Sequence, residues 1–324
     1  MHKASFALAA SLTLALSLGS PAGAAASPFA DNAEAALEKI DPGLEPSEEK
    51  ALQSKSVLDE DQAVKEDHAT FRSQGRALVV MRSVGAVPPV SGEIAVGRSV
   101  QKKKVQRARA GVRNVVIYNT AEDGVSGLTV AAWSERDGVN YRIASRDALS
   151  RGDLIKLVKA LPADTTKPSR KARRAIESAP PAERRPEPVQ RSTSSLFVDG
   201  AGDPGDDLGD EANLCNGCAY SYSNYVWMWQ RILQADAFLV GSMDCSFGPL
   251  TTSGTKNWQS DKGLTSDGIV GANTRKRADD YILDGGGTSV FYLGEWQNAY
   301  FHRLTNNAYH VSSKRMNYTN ATMC

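Results

Sequence analysis

Four histidines and four cysteines are the residues of this chain best suited to metal, nucleophilic or redox chemistry. Their spacing argues against most of it. His2, His68, His302 and His310 stand far apart, whereas a catalytic zinc site gathers several ligands around one open position. A cysteine nucleophile needs a free thiol beside a histidine. Cys215, Cys218, Cys245 and Cys324 form an even set in the last third of the chain, which suits pairing better. Cys215-x-x-Cys218 has the spacing of a redox motif or half a zinc site. No strand-helix redox context surrounds it, and the other two cysteines do not repeat its spacing. There is no Gly-x-Ser-x-Gly elbow. A glycosidase needs only two carboxylates at a set separation, for which Glu135, Asp137 and Asp147 could be invoked, but sequence spacing does not give that separation. No catalytic residue, metal or cofactor is assigned on these grounds.

The clearest pattern lies among the cysteines. Asp244-Cys-Ser-Phe-Gly-Pro-Leu-Thr251 and Asp267-Gly-Ile-Val-Gly-Ala-Asn-Thr274 are two copies of one turn, each running into a helical stretch. In each copy Asp closes the turn with its carboxylate and an apolar residue, Phe247 or Val270, plugs inward. Gly248 and Gly271 are expected to supply a backbone conformation closed to bulky residues, and Thr251 and Thr274 to cap the following helices. Ahead lies Tyr225-Val-Trp-Met-Trp-Gln-Arg-Ile-Leu233, in which Val226, Trp229, Gln230 and Leu233 share one helical face. Three short helices joined by two matching turns follow.

This arrangement resembles the peptidoglycan-binding domain attached to many secreted cell-wall hydrolases. The matching residues are Val226, Trp229, Gln230 and Leu233, then Asp244, Phe247, Gly248 and Thr251, then Trp258 and Gln259, then Gly263, Leu264, Asp267, Gly268, Ile269, Val270, Gly271 and Thr274. Cys245 departs from the pattern, standing where the first turn usually carries Gly; that turn is either less strained or held by a disulfide. The resemblance implies a bacterial wall protein with peptidoglycan as its partner and a shallow groove on the module. Trp227 and Arg231, at i and i+4, with Asn257 and Gln259 around the second helix's aromatic, are the candidate ligand contacts. Trp227 can equally be core in so small a domain, and Gln230 and Gln259 can instead satisfy buried backbone groups.

Length and charge frame the rest. The 324 residues suit about two domains, and a net charge of +1, from 38 Lys and Arg against 37 Asp and Glu, makes the chain no general magnet for nucleic acid or anionic lipid. Residues 1–26 carry the layout of a signal peptide: a Lys near the start, an apolar run from Phe6 to Leu18, and Ala-x-Ala before Ser27. That run is too short to span a bilayer. Export favours disulfides among the four cysteines, with one bridge expected to pin Cys324 to the repeat.

Residues 27–76 are acidic and Ala-rich, with helical patterns at Ala33–Ile40 and Glu48–Leu58, and read as a loose helical or partly disordered segment. Strand patterns follow at Ala77–Met81, Val112–Tyr118, Leu128–Trp133 and Tyr141–Ala144, the last two flanking an Asp-Gly hairpin turn. A helix capped by Ser150 presents Leu154, Leu157, Val158 and Leu161. Residues 77–161 therefore form an α+β domain, an antiparallel sheet with a helix against it. The basic run Gln101–Arg109 reads as a solvated helix or loop, although Lys102, Lys103 and Lys104 could meet an anionic wall polymer. Residues 162–212 read as linker, with carboxylate spacing wrong for a calcium loop. Gly285–Gly287 is expected to break the third helix, ahead of short strands at Val290–Trp296 and Tyr309–Val311 that complete a unit spanning 213–324.

The expected protein is a secreted, wall-associated, non-catalytic peptidoglycan binder. Two alternatives stay open: a cell-wall hydrolase whose catalytic part is the N-terminal domain, and an envelope sensor or regulator addressed to the wall, with a protein partner for that domain.

Overall fold

The computed structural model describes residues 28–47, 65–84, 105–121, 127–136, 138–167, 170, 196–200, 205, 207–239, 242–286, 288–304 and 307–324. The leader at 1–26, the pattern at Glu48–Leu58 and Lys102, Lys103 and Lys104 lie outside them. Among the described residues no helix is long and apolar enough to cross a membrane.

The N-terminal half is a seven-stranded antiparallel sheet of β1 (Glu45–Pro46), β2 (Lys65–Ser73), β3 (Arg76–Val84), β4 (Gln106–Ala110), β5 (Arg113–Asn119), β6 (Thr129–Arg136) and β7 (Val139–Arg146), in the order β1-β2-β3-β7-β6-β5-β4. It begins before residue 77, because β2 pairs with β3 along its whole length. The second half of the basic run is β4, an edge strand, and not a helix or loop. Its ladder to β5 reaches Ala110, and the hairpin turns at Gly111, which takes φ 64°. Helices α1 (Pro28–Glu38) and α2 (Arg151–Ala160) cover one face. Ser150 caps α2, its hydroxyl accepting the Asp153 N–H at 3.2 Å.

Successive strand residues point to opposite faces, and here both faces are buried. Leu78, Val80, Ile117, Trp133 and Ile143 pack under Phe29, Leu37, Leu154 and Leu157. Val79, Met81, Val116, Tyr118 and Val130 join the core of the C-terminal half. The central strands thus lie between two layers, while the edge strands β1 and β4 are largely exposed. Uncovering Val79 alone would cost about 1.5–3 kcal/mol.

That C-terminal half holds three helices, α3 (Asn224–Ala235), α4 (Pro249–Asp261) and α5 (Ala272–Asp279). An antiparallel sheet follows, β8 (Ile282–Gly286), β9 (Ser289–Leu293), β10 (Asn298–Arg303), β11 (Tyr309–Val311) and β12 (Lys314–Arg315). Contrary to the sequence expectation, Gly285 and Gly286 end β8 at its hairpin to β9, and the third helix has already stopped at Asp279. The described residues of 196–213 are built into this half. Val198 and Leu208 are buried, and the Asp207 carboxylate accepts hydrogen bonds from Tyr309 Oη at 2.7 Å and Arg303 at 2.9 Å. A buried carboxylate with such partners is affordable in a packed segment.

Polar contacts fix how the halves meet. Arg72 of β2 donates to Gly294 O at 2.6 Å and Asn298 Oδ1 at 2.7 Å. Arg142 of β7 reaches Asp284 O at 2.5 Å. Arg146, also on β7, donates to Asp236 Oδ1 at 3.0 Å, Leu293 O at 2.7 Å and Glu295 Oε1 at 2.7 Å. Lys262 shares Glu295 at 2.8 Å and lies 3.5 Å from Asp236. Burial alone would raise the Asp236 pKa, but Arg146, Lys262 and donors including Tyr292 Oη override it and hold the carboxyl below its usual range.

Candidate functional site

The two turns are built alike, and a glutamine holds each. In the first, Gln230 Nε2 of α3 donates to Asp244 Oδ1 at 2.7 Å, Ser246 O at 3.0 Å and Thr251 Oγ1 at 2.9 Å, while Gln230 Oε1 accepts the Cys245 N–H at 3.1 Å. In the second, Gln259 Nε2 of α4 donates to Asp267 Oδ1 at 2.8 Å, Ile269 O at 2.9 Å and Thr274 Oγ1 at 3.0 Å, and Gln259 Oε1 accepts the Gly268 N–H at 2.8 Å. Each Asp carboxylate also accepts the N–H two residues on, Ser246 at 3.0 Å and Ile269 at 2.8 Å. One buried amide per turn therefore serves donors and acceptors that would otherwise be stranded away from water.

Two expectations about these turns need correction. Thr251 and Thr274 do not cap their helices: the caps are Gly248 and Gly271, without a side-chain bond. Each Thr sits one turn further in and donates back to a turn carbonyl, Ser246 O at 3.0 Å and Ile269 O at 3.2 Å. Nor do Gly248 and Gly271 carry the left-handed backbone, since their φ values are −86° and −89°. It falls on Cys245, φ 60°, and Gly268, φ 78°. The first turn keeps the strained conformation on a cysteine, which is bonded to Cys324.

A strap from Leu214 to Ser223 joins the turns. Leu214 exchanges backbone hydrogen bonds with Val270 of the second turn, at 2.8 and 3.3 Å. Ser221 O accepts the Phe247 N–H at 2.7 Å, and the Ser223 N–H donates to Cys245 O at 3.0 Å. The Cys215–Cys218 disulfide lies in the strap between these two attachments. Ser223 then caps α3, its hydroxyl accepting the Val226 N–H at 3.2 Å.

Burial separates the residues singled out for ligand contact. Trp227 is 6% exposed and Arg231 9%, Arg231 donating to Gln234 Oε1 at 2.6 Å and Asn298 O at 3.2 Å. The C-terminal strands wrap this flank of α3, so its apparent outer face is an inner one. Gln259, 1% exposed, is committed to the second turn. Asn257 is exposed on α4. Trp229 and Trp258 are core, meeting edge to face with ring centroids 5.3 Å apart.

The solvent-facing surface of the module has other members. Leu250 at the start of α4 is 77% exposed, Tyr222 on the strap 63%, and Ile269 at the second turn is also exposed. Leu250, Ser253 and Asn257 follow one another along one exposed stripe of α4. The second turn lies close to this helix, for a Cβ built on Gly268 would stand 2.9 Å from Thr252 Cγ2 and 3.0 Å from Lys256 Cε. Sequence reasoning missed Leu250 because it falls between the motif positions Gly248 and Thr251, and Tyr222 because it lies ahead of the first of them, Val226.

Among the described residues the histidines form no metal-holding group: His302 and His310 are cross-strand partners, and His68 stacks on Tyr300 with ring centroids 6.4 Å apart. Among the described residues no group of His, Cys, Asp or Glu is arranged to hold a metal. A cavity between the halves, lined by Met81, Ser83, Asn140, Arg142 and Gly285, measures about 10 Å³, room for a single water at most. No curated protein and no solved structure matches the chain. The family model for the peptidoglycan binding domain matches residues 224–277, which contain α3, α4, both glutamine-held turns and all but the last two residues of α5. The C-terminal half therefore carries a peptidoglycan-binding domain of that family, framed by a strap and strands outside the family's span.

Proposed function

We propose that this chain is exported to the bacterial cell wall and binds peptidoglycan without cleaving it. The observation that carries the reading is the doubled glutamine-held turn within the family's span. Peptidoglycan contact is assigned to the exposed face formed by Tyr222, Leu250, Asn257 and Ile269. Trp227, Arg231 and Gln259 serve that face indirectly, by holding α3 and the second turn. An aromatic and two aliphatic side chains beside an amide suit a polymer that alternates apolar faces with hydrogen-bonding groups. The N-terminal sheet is carried to the wall as a rigid companion, because the halves share a core.

The full chain should pellet with purified sacculi. The double variant Tyr222→Ala/Leu250→Ala should fold normally and bind about tenfold more weakly, the equivalent of about 1.4 kcal/mol. Soluble muropeptides measured in the same tubes should not rise above the protein-free control. Release that depends on a carboxylate such as Glu135 would replace this reading with the hydrolase alternative. Unchanged pelleting by the double variant would move the contact elsewhere.

A further inference from the structure

Trp296 lies outside the family's span and is 71% exposed, whereas Trp133, Trp227, Trp229 and Trp258 are all buried. A single exposed apolar residue is ordinary in itself. What sets this one apart is the loop that presents it. The β9–β10 connection runs Gly294-Glu295-Trp296-Gln297, and Ala235 O, at the end of α3, accepts both the Trp296 N–H at 2.9 Å and the Gln297 N–H at 3.0 Å. Gly294 is pressed so closely that a Cβ there would stand 2.4 Å from Ala235 O and from Gln297 O. The Glu295 N–H donates to Asp236 Oδ1 at 2.7 Å, and its carboxylate is held by Arg146 and Lys262. From the opposite half, Arg72 donates to Gly294 O at 2.6 Å and Glu295 O at 3.3 Å. Arg72 of β2, Ala235 of α3 and Asp236 just beyond it thus fix the backbone of a four-residue loop, Arg146 of β7 and Lys262 at the end of α4 fix its Glu295 side chain, and its indole is left in solvent.

We propose that Trp296 is a stacking platform for a pyranose ring of a glycan strand, a second contact beyond the module's own face. This rests on the wall-binding reading above. An indole is a flat, rigid, apolar surface, and the C–H face of a pyranose is its natural complement. A fixed loop removes most of the ordering entropy that binding would otherwise cost. Polar groups for the sugar's edge are at hand: Gln297 and Glu295 flank the indole in sequence, and Lys262 links Glu295 to the partly exposed Asp261. Arg146 and Lys262 are buried and committed to Glu295, Asp236 and Asp261, so neither cation is offered to the carboxylate end of a peptide, whereas hydroxyl and amide groups of an amino sugar can donate to carboxylate lone pairs. That pairing favours the glycan over the peptide part of the wall.

Because the other four tryptophans are buried, acrylamide quenching of intrinsic fluorescence reads Trp296 selectively. In the full chain, a β-1,4-linked N-acetylglucosamine oligomer should protect the quenchable fraction, and a short acidic wall peptide should not. Trp296→Ala should abolish the quenchable fraction, leave the unfolding midpoint unchanged, and weaken sacculus pelleting about fivefold, while Trp296→Phe retains most of it. If the oligomer leaves quenching unaltered and Trp296→Ala pellets like the parent chain, the platform does not exist. Sacculus binding by the parent chain in that case would leave the wall-binding reading intact. Protection by the oligomer without sacculus binding would sustain the platform and overturn that reading.

Discussion

The two turns of the peptidoglycan-binding domain have one hydrogen-bond plan and two different residues at its tightest point. Both need a left-handed backbone one residue after the Asp. The second turn meets this need with Gly268; the first meets it with Cys245 and accepts a conformation that costs an ordinary residue about 1–2 kcal/mol. Space explains the choice. At Gly268 a Cβ would crowd Thr252 and Lys256 of α4, so a side chain there would have to displace them. At Cys245 the side chain has room to reach Cys324, and the disulfide closes a sequence separation of 79 residues around the whole C-terminal sheet. The glutamine clamp is thus the constant part of the design. The residue after the Asp is the variable part, used here to fasten the strands that wrap α3.

The largest effect should come from removing that fastening. Cys245→Ser with Cys324→Ser should cost about 4 kcal/mol, the chain-entropy value for so long a loop, seen as a lower urea midpoint. The Cys215–Cys218 pair closes a four-residue loop within the strap, and its loss should cost much less.

Breaking either clamp comes next. Gln230→Ala and Gln259→Ala should each cost about 2–4 kcal/mol, since buried turn groups lose their partner. If the plans are equivalent, the two losses should agree within about 1 kcal/mol once the disulfide is absent from both backgrounds. A Gln230 loss that is far smaller with the disulfide present would mean that the bridge holds the first turn by itself.

Gly268→Ala should cost about 1–2 kcal/mol from its dihedral alone, with a further penalty from Thr252 and Lys256, and should leave the first turn untouched. Thermal unfolding of the variant measures it.

The smallest effect is on pH. Partial burial pushes the Asp244 carboxyl up, but hydrogen bonds from Gln230 and the Ser246 N–H outweigh it and its pKa lies below the ordinary value. The stability it adds is therefore complete above about pH 4 and is lost as pH falls through the lowered folded value. Asp244→Asn should flatten that part of the acid limb in a pH series of unfolding midpoints.

The module was legible because its order depends on local rules: the Asp turns, the Gln positions and the Phe247 and Val270 plugs are short-range necessities. The central strands were legible from apolar runs, and α2 from its Ser cap. Strand β2 was not, because its sequence, Lys-Glu-Asp-His-Ala-Thr-Phe-Arg-Ser, is mostly polar. Tertiary partners accommodate it there, Asp67 pairing with Arg82 at 2.6 Å and Arg72 reaching the β9–β10 loop. The shared core left one trace. Leu78-Val-Val-Met81 and Val115-Val-Ile-Tyr118 do not alternate with polar residues, as strands buried on both faces do not. The burial of Trp227 and Arg231 had no such trace, because strands more than 60 residues downstream in sequence cover them, and amphipathic spacing does not report distant partners.

Peptidoglycan is predicted to meet the face around the two turns. Backbone amide NMR of the full chain, titrated with solubilised peptidoglycan, tests it most directly. Shifts concentrated at Tyr222, Ser246 to Asn257 and Gly268 to Ile269 are the predicted result. Shifts confined to β2 to β7, with these residues unmoved, would contradict it.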